Sequence, residues 1–508
     1  MLRVPAKATV LYRSLCVVLI HLLLAAATAA PQAQSSPTLD MIVQSASVAD
    51  AALLVQRAGG QVTHELSIIN AVGARLTPAQ AARLRALAPT AQVYTDQRVE
   101  VASDLPLDTV YPREVGATQL HAEGITGKNV TVAIIDTGAW AAPEILADTS
   151  GRVRVVARYD AIAGTTVPVT TNDDQNGHGT HVASIVASMG RGILATSSLT
   201  YQVLYNGVAP DAKLVLVKAF GRDGSGSYLD VIRGIDWVVR NRSTYGIRVL
   251  NLSFSTPPRS YYWDDPLNQA VMRAWQAGIV VVTSAGNRGP KAMTVGVPGN
   301  VPYVITVGAM SDNYTPDNVQ DDYLLPFSSA GPTYEAFVKP ELVAPGGHIL
   351  GKMQADALLA LTFPELYLPR FNQFSMSGTS QSAAVVSGVA ALLLQANPRL
   401  SPDDVKCRLM AAARPAVKAD GKLAYSIFQQ GVGMVNAYRA VRSTATNCAN
   451  RGLNVAYDLA GTAHYRGRVV QNDAGGYYIA GLDGYTWADG YTWADGYTWA
   501  DGYTWADG

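Results

Sequence analysis

The chain reads as an α/β protein built on a doubly wound, mostly parallel sheet and preceded by a smaller ferredoxin-like α+β unit. Three observations predict this. Short, largely apolar stretches recur at residues 130–135, 214–217, 249–252, 279–282 and 304–307, and runs of that length suit parallel strands covered on both faces. Between them apolar residues return at helical spacing: Ile232, Ile235, Val238 and Val239 share one face, as do Leu267, Val271, Ala274 and Trp275. Ahead of both, residues 38–100 follow a β-α-β-β-α-β order. With 508 residues, 48% hydrophobic and 15% charged, the chain can fill two or three folded units.

Residues 1–29 read as a secretory signal. They are basic through Arg13, apolar over residues 15–24, and then small, with Ala27-Thr-Ala29 as a cleavage site. The apolar core is too short to span a bilayer, and no later segment is expected to reach that length. Basic and acidic residues number 39 each; Arg3, Lys7 and Arg13 fall in the signal, which leaves 36 against 39 and a net charge of −3. That balance gives no sign of nucleic-acid binding, and no such partner is expected. Cys16 leaves with the signal, so Cys407 and Cys448 remain, either as two free thiols or as one disulfide. Closing that loop would contribute about 4 kcal/mol.

The first folded unit, residues 30–104, starts with a strand at 39–44 and a helix at 49–58 that ends on Gly59-Gly60. Two strands share residues 61–76, Thr77 caps a helix at 78–88, and a last strand lies near 92–95.

In the second unit, residues 105–445, three motifs carry chemistry. Asp136 follows the apolar run Val-Thr-Val-Ala-Ile-Ile and precedes Thr137-Gly138, which places it at the carboxyl end of a buried strand. His178 stands in Asn-Gly-His-Gly-Thr-His-Val-Ala, where glycines allow a tight turn into a helix. Ser380 stands in Ser-Gly-Thr-Ser-Gln-Ser-Ala and opens a strongly apolar helix, whose amino end favours negative charge. A serine needs a base to take its proton, and the base needs a carboxylate to fix its tautomer. A fourth motif, Val-Val-Thr-Ser-Ala-Gly-Asn, delivers Asn287 from the end of another strand.

In the order Asp136, His178, Ser380, these motifs resemble those of the subtilisin-like serine proteases, the subtilases, over residues 105–445. The resemblance implies a secreted serine endopeptidase working through an acyl-enzyme, extracellular or periplasmic, monomeric, and acting on protein or peptide substrates without a cofactor. It implies that Asn287 and the Ser380 N–H form the oxyanion hole, where one such amide is worth roughly 3–4 kcal/mol of barrier. Gly224, Ser225 and Gly226 with Ser253, Phe254 and Ser255 match the two segments that pair with substrate as an added strand. Gly296 matches the floor of the S1 pocket, leaving room for a large apolar side chain, and Arg288 beside Asn287 disfavours Lys and Arg there. Residues 30–104 resemble the family's propeptide of the inhibitor I9 type, an intramolecular inhibitor and folding aid, with the maturation cut within 100–112. Structural calcium is frequent among such enzymes, but no ligand set is identified and the metal stays unknown.

Two positions depart from the family pattern. Gln381 replaces the usual methionine and Ala384 the usual proline. With no thioether next to Ser380, the enzyme is expected to resist oxidation. His178 and His181 lack the intervening glutamate of a zinc-protease helix, so His181 reads as structural. Asp173-Asp174 ahead of the His motif could bind a cation, but reads rather as a solvated acidic turn.

Residues 446–508 read as a tail rich in Gly, Tyr and Asp, ending in four copies of Tyr-Thr-Trp-Ala-Asp-Gly over 485–508. Low-complexity composition favours disorder. Tyr and Trp two apart would share a face of a strand and could bind a surface, so a surface-binding protein is one alternative function, and a peptide acyl transferase on the same fold is another.

Overall fold

The structure is a computed structural model that describes residues 37–95, 110–195, 201–315, 318–473 and 475–480. The signal segment, most of the expected maturation region and the four hexads lie outside the described residues. The chain divides into two compact units, Met1–Ala102 and Ser103–Gly508.

The first unit runs β1 (Leu39–Gln44), α1 (Val48–Ala58), β2 (Gln61–Leu66), β3 (Ala71–Leu76), α2 (Pro78–Leu87) and β4 (Gln92–Thr95). Its sheet is antiparallel in the order β2-β3-β1-β4, the ferredoxin-like arrangement. Local chemistry sets the helix ends. The Ser47 hydroxyl accepts from Asp50 N, and α1 stops at Gly59 with φ 84°. Thr77 and Gln80 form a reciprocal capping box with Pro78 in the first turn of α2. Met41, Val43, Val55, Val72, Leu76 and Leu84 are buried between helices and sheet.

The second unit is organised by a nine-stranded sheet. Its path is built from β5 (Thr131–Asp136), β6 (Val155–Asp160), β7 (Thr165–Val167), β8 (Lys213–Lys218), β9 (Ile247–Leu252), β10 (Val280–Ser284), β11 (Ile305–Ser311) and β12 (Tyr323–Leu324), with β13 (Leu342–Pro345) also pairing with β11. The order is β12-β11-β10-β9-β5-β8-β6-β7. Pairings are parallel except at the two edges, β6 with β7 and β11 with β12. All five expected apolar runs are strands. β11 runs four residues past the expected end because Gly308–Ser311 are buried too.

Helices α3 (His178–Ala187), α4 (Tyr228–Arg240), α5 (Pro266–Gln276) and α6 (Thr379–Ala396) flank this sheet. Leu267, Val271, Ala274 and Trp275 of α5 are buried as expected. The buried face of α4 is instead Val231, Gly234, Ile235 and Val238. A Cβ at Gly234 would stand 3.1 Å from Val217 and 3.4 Å from Ile135, so the absent side chain lets the helix lie on β8 and β5 and turns Ile232 and Val239 to the flanks. Helix α6 corrects the expectation that no segment after the signal reaches membrane-spanning length: it is long and apolar enough. Yet every residue from Thr379 to Leu394 is buried inside the protein, so its hydrophobicity serves the core.

The expected tail boundary at 445 is also corrected, because the folded body continues to residue 480. Cys407 and Cys448 are joined, with Cα atoms 5.2 Å apart. The buried Asp458 carboxylate accepts from Tyr262 at 2.5 Å and Tyr303 at 3.0 Å, and pairs with His464 at 2.7 Å. Trp263 stacks on His464. A hairpin of Val469–Gln471 and Tyr477–Ile479 packs on Ile427 and Phe428. Nearby, the buried Glu341 carboxylate lies 2.6 Å from Lys339 Nζ and 2.8 Å from Lys406 Nζ, and accepts from Thr306 N at 2.8 Å.

Candidate active site

In parallel α/β sheets, side chains at the carboxyl ends of strands and the amino ends of helices converge on one edge, and this sheet follows that rule. Asp136 is the last residue of β5 and is buried. Its Oδ1 accepts from His178 Nδ1 at 2.7 Å and from Thr137 N at 2.8 Å. His178 is the first residue of α3, following Gly177 at φ 104°. A Cβ at Gly177 would come within 3.0 Å of Met353 and Ala357, so this turn needs glycine for space as well as for conformation.

The turn before His178 hangs on Asp174, which corrects the solvated-turn expectation. Asp174 is buried. Its Oδ1 accepts from Thr137 Oγ1 at 2.8 Å, Asn176 N at 3.1 Å and Gly177 N at 2.8 Å. Its Oδ2 accepts from Thr180 N at 2.8 Å and Thr180 Oγ1 at 2.5 Å. Thr137 Oγ1 in turn accepts from Gly179 N at 2.8 Å, so the same threonine that bonds Asp136 also pins α3. Asp173 accepts from the fully buried Arg158 at 3.0 Å and from Ala139 N at 2.9 Å. Lys218, buried at the end of β8, donates to the Thr137 and Asp173 carbonyls at 2.8 and 2.7 Å. Sequence reasoning missed both Asp174 and Lys218 as organisers. The only available signal was a lysine ending an apolar strand.

Burial favours the neutral form of His178, but the charge and hydrogen bond of Asp136, helped by Asp174, outweigh it and raise the imidazole above its usual 6.5. With Nδ1–H bound to Asp136, Nε2 is left to accept a proton. His181 is different. It is fully buried, its Nε2 donates to the Ile349 and Phe374 carbonyls at 3.1 and 3.0 Å, and burial lowers its pKa to about 4. It is a neutral structural side chain, as its sequence context suggested.

Ser380 lies in the first turn of α6, where its N–H has no intrahelical acceptor. Its hydroxyl donates to the Ser253 carbonyl at 2.8 Å, while the Ser253 hydroxyl donates to the Ser380 carbonyl at 2.9 Å. The serine hydroxyl therefore rests on the backbone just past the end of β9. Asn287 Oδ1 accepts from Thr379 N at 3.1 Å and Thr379 Oγ1 at 2.9 Å. Those two bonds settle which way the amide faces, and its NH2 is free to donate elsewhere.

One cavity of about 840 Å³ contains Asp136, His178, Asn287 and Ser380 in its walls, together with Gly224, Ser253, Phe254 and Ser255. Arg288 stands in the same wall with its backbone N–H on Ser329. Ser225, Gly226 and Gly296 do not line it. Ser225 turns back to Asp223 at 2.7 Å. A Cβ at Gly226 would clash with the Ala219 carbonyl, and one at Gly296 with the Ser255 hydroxyl and Thr256 carbonyl, so Gly296 lets the Ser255–Thr256 backbone pack from behind. The buried Gln381 amide points away from Ser380, 3.0 Å from Met376 Sδ and 3.5 Å from His181 Nδ1. Met376 itself lines the cavity. Gln381 thus brings no thioether next to Ser380, but the strand before Ser380 contributes Met376 to the same cavity wall. No cluster of three or more His, Cys, Asp or Glu suited to a metal ion occurs among the described residues.

Comparison with known proteins follows the same lines. The Subtilase family matches residues 127–435. Serine protease AprX of Bacillus subtilis (strain 168) is 35% identical over 387 residues, covering 73% of this chain and 79% of that protein. Subtilisin DY of Bacillus licheniformis is 33% identical over 331 residues, 65% of this chain and 96% of its own. Subtilisin E of Bacillus subtilis (strain 168) is 30% identical over 394 residues, 77% and 85% respectively.

Proposed function

The chain belongs to the subtilase family of serine-type endopeptidases, and on that premise we propose that Asp136, His178 and Ser380 are its catalytic triad, with Asn287 and the Ser380 N–H as the oxyanion hole. The observation that carries this reading is the 2.7 Å bond from His178 Nδ1 to Asp136 in a cavity shared with Ser380 and Asn287. Asp136 holds His178 in the tautomer that leaves Nε2 open. Ser380 Oγ swings from the Ser253 carbonyl toward His178, gives up its proton and attacks the scissile carbonyl. The oxyanion is met by the free NH2 of Asn287 and by the first-turn N–H of Ser380, with the α6 amino end adding its dipole. His178 then returns the proton to the leaving amine, and water repeats the sequence on the acyl-enzyme. Side chains and backbone supply every step.

The substrate backbone runs between Gly224 and Ser253–Ser255, the parts of the two expected segments that line the cavity, with a large apolar residue preferred at P1 and Arg288 set against Lys and Arg. The protein is exported by its signal segment and made as a zymogen. Residues 30–104, cut within 100–112, form the propeptide that inhibits the enzyme in cis, a reading supported by the separate compact unit Met1–Ala102 and its ferredoxin-like sheet. The mature enzyme acts as a monomer.

Wild type and Ser380→Ala compared on casein, with a fluorophosphonate label, test this reading. Wild type is expected to turn over casein, take the label and shed residues 30–104, whereas Ser380→Ala does none of these. Equal turnover by the two, or an unlabelled processed wild type, would overturn it.

A further inference from the structure

The segment between Met353 and Phe374 is the part of the cavity wall that the proposed mechanism does not use. It forms a five-residue helix (Leu358–Thr362), a 3-10 turn (Pro364–Leu366) and a short strand, Tyr367–Leu368, paired with Gln373–Met376. Its underside is anchored: Met353, Ala357, Ala360 and Phe374 are buried together. Its start is bonded to the turn that presents His178, Leu358 N to the Gln175 carbonyl at 2.9 Å and Leu359 N to the Asn176 carbonyl at 3.1 Å. Its upper side is apolar and open. Phe363 is 44% exposed and Leu366 40% exposed.

We propose that Leu359, Phe363, Leu366, Phe374 and Met376 form a subsite for apolar side chains on the leaving-amine side of the scissile bond. The proposal rests on the endopeptidase reading of the site. These five side chains line the same cavity as His178 and Ser380, so the shelf is continuous with the catalytic surface. The acyl side of a bound chain is already assigned to Gly224, Ser253–Ser255 and the Asn287 wall. The amine leaves with the proton that His178 returns to it, and the shelf hangs from the turn that carries His178 and from the strand that leads into Ser380. None of the shelf's charged residues, Asp356, Glu365 and Arg370, lines the cavity, so residues following the cut are recognised by burial of aliphatic or aromatic groups. Such contacts discriminate by roughly tenfold or more per apolar side chain. An exposed apolar surface of this kind on a soluble enzyme marks a place where something docks, and here the occupant is the departing half of the substrate.

Internally quenched peptides sharing one acyl half with Phe at P1, and carrying Leu-Phe, Ala-Ala or Asp-Asp after the cut, read this out. Wild type is expected to cleave the Leu-Phe peptide at least roughly tenfold faster in kcat/KM than the Asp-Asp peptide. Phe363→Ser/Leu366→Ser is expected to flatten that ratio, mainly through KM, with an unaltered circular dichroism spectrum. Leu361→Ser, on the same helix but outside the cavity lining, is expected to keep it. A wild type that shows no such ratio, or a double variant that keeps it, overturns the proposal. So does a dimer seen by light scattering that the double variant dissolves without any change in ratio, since the shelf would then be covered by a second copy. A p-nitroanilide with the same acyl half and no residues after the cut separates the two readings. Its hydrolysis by wild type and not by Ser380→Ala stands whether or not the shelf is a subsite, and its absence sinks the endopeptidase reading itself.

Discussion

Replacing Asp174 by asparagine tests how the site is held without touching the proposed triad. The carboxylate accepts five hydrogen bonds, three at Oδ1 and two at Oδ2. Asparagine keeps the shape but offers one oxygen and one NH2. In the gentler orientation its oxygen serves Thr137, Asn176 and Gly177, and its NH2 faces Thr180. The Thr180 hydroxyl can turn to accept, but the buried Thr180 N–H is left without an acceptor, at roughly 1–3 kcal/mol. Exchanging a charged acceptor for a neutral one weakens the three remaining bonds by up to about 1 kcal/mol each, which brings the loss to about 4 kcal/mol. Because Thr137 bonds both Asp136 and Gly179, the damage extends to catalysis: kcat should fall while KM changes little. Urea unfolding followed by tryptophan fluorescence, in a Ser380→Ala background that prevents self-digestion, measures the first effect. Peptide hydrolysis in the active background measures the second. A stability loss below about 1 kcal/mol, or a change confined to KM, would refute the claim that Asp174 organises the turn.

The remaining predictions are shorter. His178 must be neutral to act as a base, and Asp136 holds its pKa above 6.5; activity is therefore lost as pH falls through that raised value, and the acid limb of kcat/KM should lie above pH 6.5. In Asp136→Asn the main charge that opposes burial is lost and only the weaker pull of Asp174 remains, so the limb should move to lower pH while kcat falls roughly 10⁴-fold. Asn287→Ala should lower kcat by roughly 10²–10³-fold, the range observed for such an amide in a subtilisin, with KM little affected. Glu341→Gln leaves two buried ammonium groups facing a neutral amide, and a fall of about 3–5 kcal/mol in unfolding free energy is expected. Dilute peroxide should inactivate the enzyme despite Gln381, and Met376→Leu should slow that loss, since Met376 Sδ is the thioether lining the cavity.

Much of the site was legible because each key side chain sits where a pattern breaks. Asp136 ends an apolar strand, His178 follows a glycine turn, and Ser380 opens an apolar helix. The capped helices of the first unit were equally plain, since Ser47, Gly59 and Thr77 act on residues a few positions away. What escaped were contacts made across the fold. Asp174 bonds Thr137 from 37 positions away and Lys218 reaches Thr137 from 81, distances at which no local spacing carries information. The resting place of Ser380 on the Ser253 carbonyl is a backbone contact and leaves no side-chain signature. Composition misled at the carboxyl end, where Gly and Tyr hid a buried anchor at Asp458 and moved the expected boundary 35 residues too early.

That anchor bears on the repeats. The first Tyr-Thr-Trp-Ala-Asp-Gly copy begins at Tyr485, five residues after Ala480, the last of the described residues. Even fully extended, five residues span roughly 17 Å, so the hexads are on a short leash. Any surface they gripped would be presented to the protease at an effective concentration in roughly the millimolar range, with no further contact needed. Removing everything after residue 445 would thus do more than shed the repeats. It would also take away the carboxylate to which Tyr262 and Tyr303 donate, and with it the post to which the leash is tied.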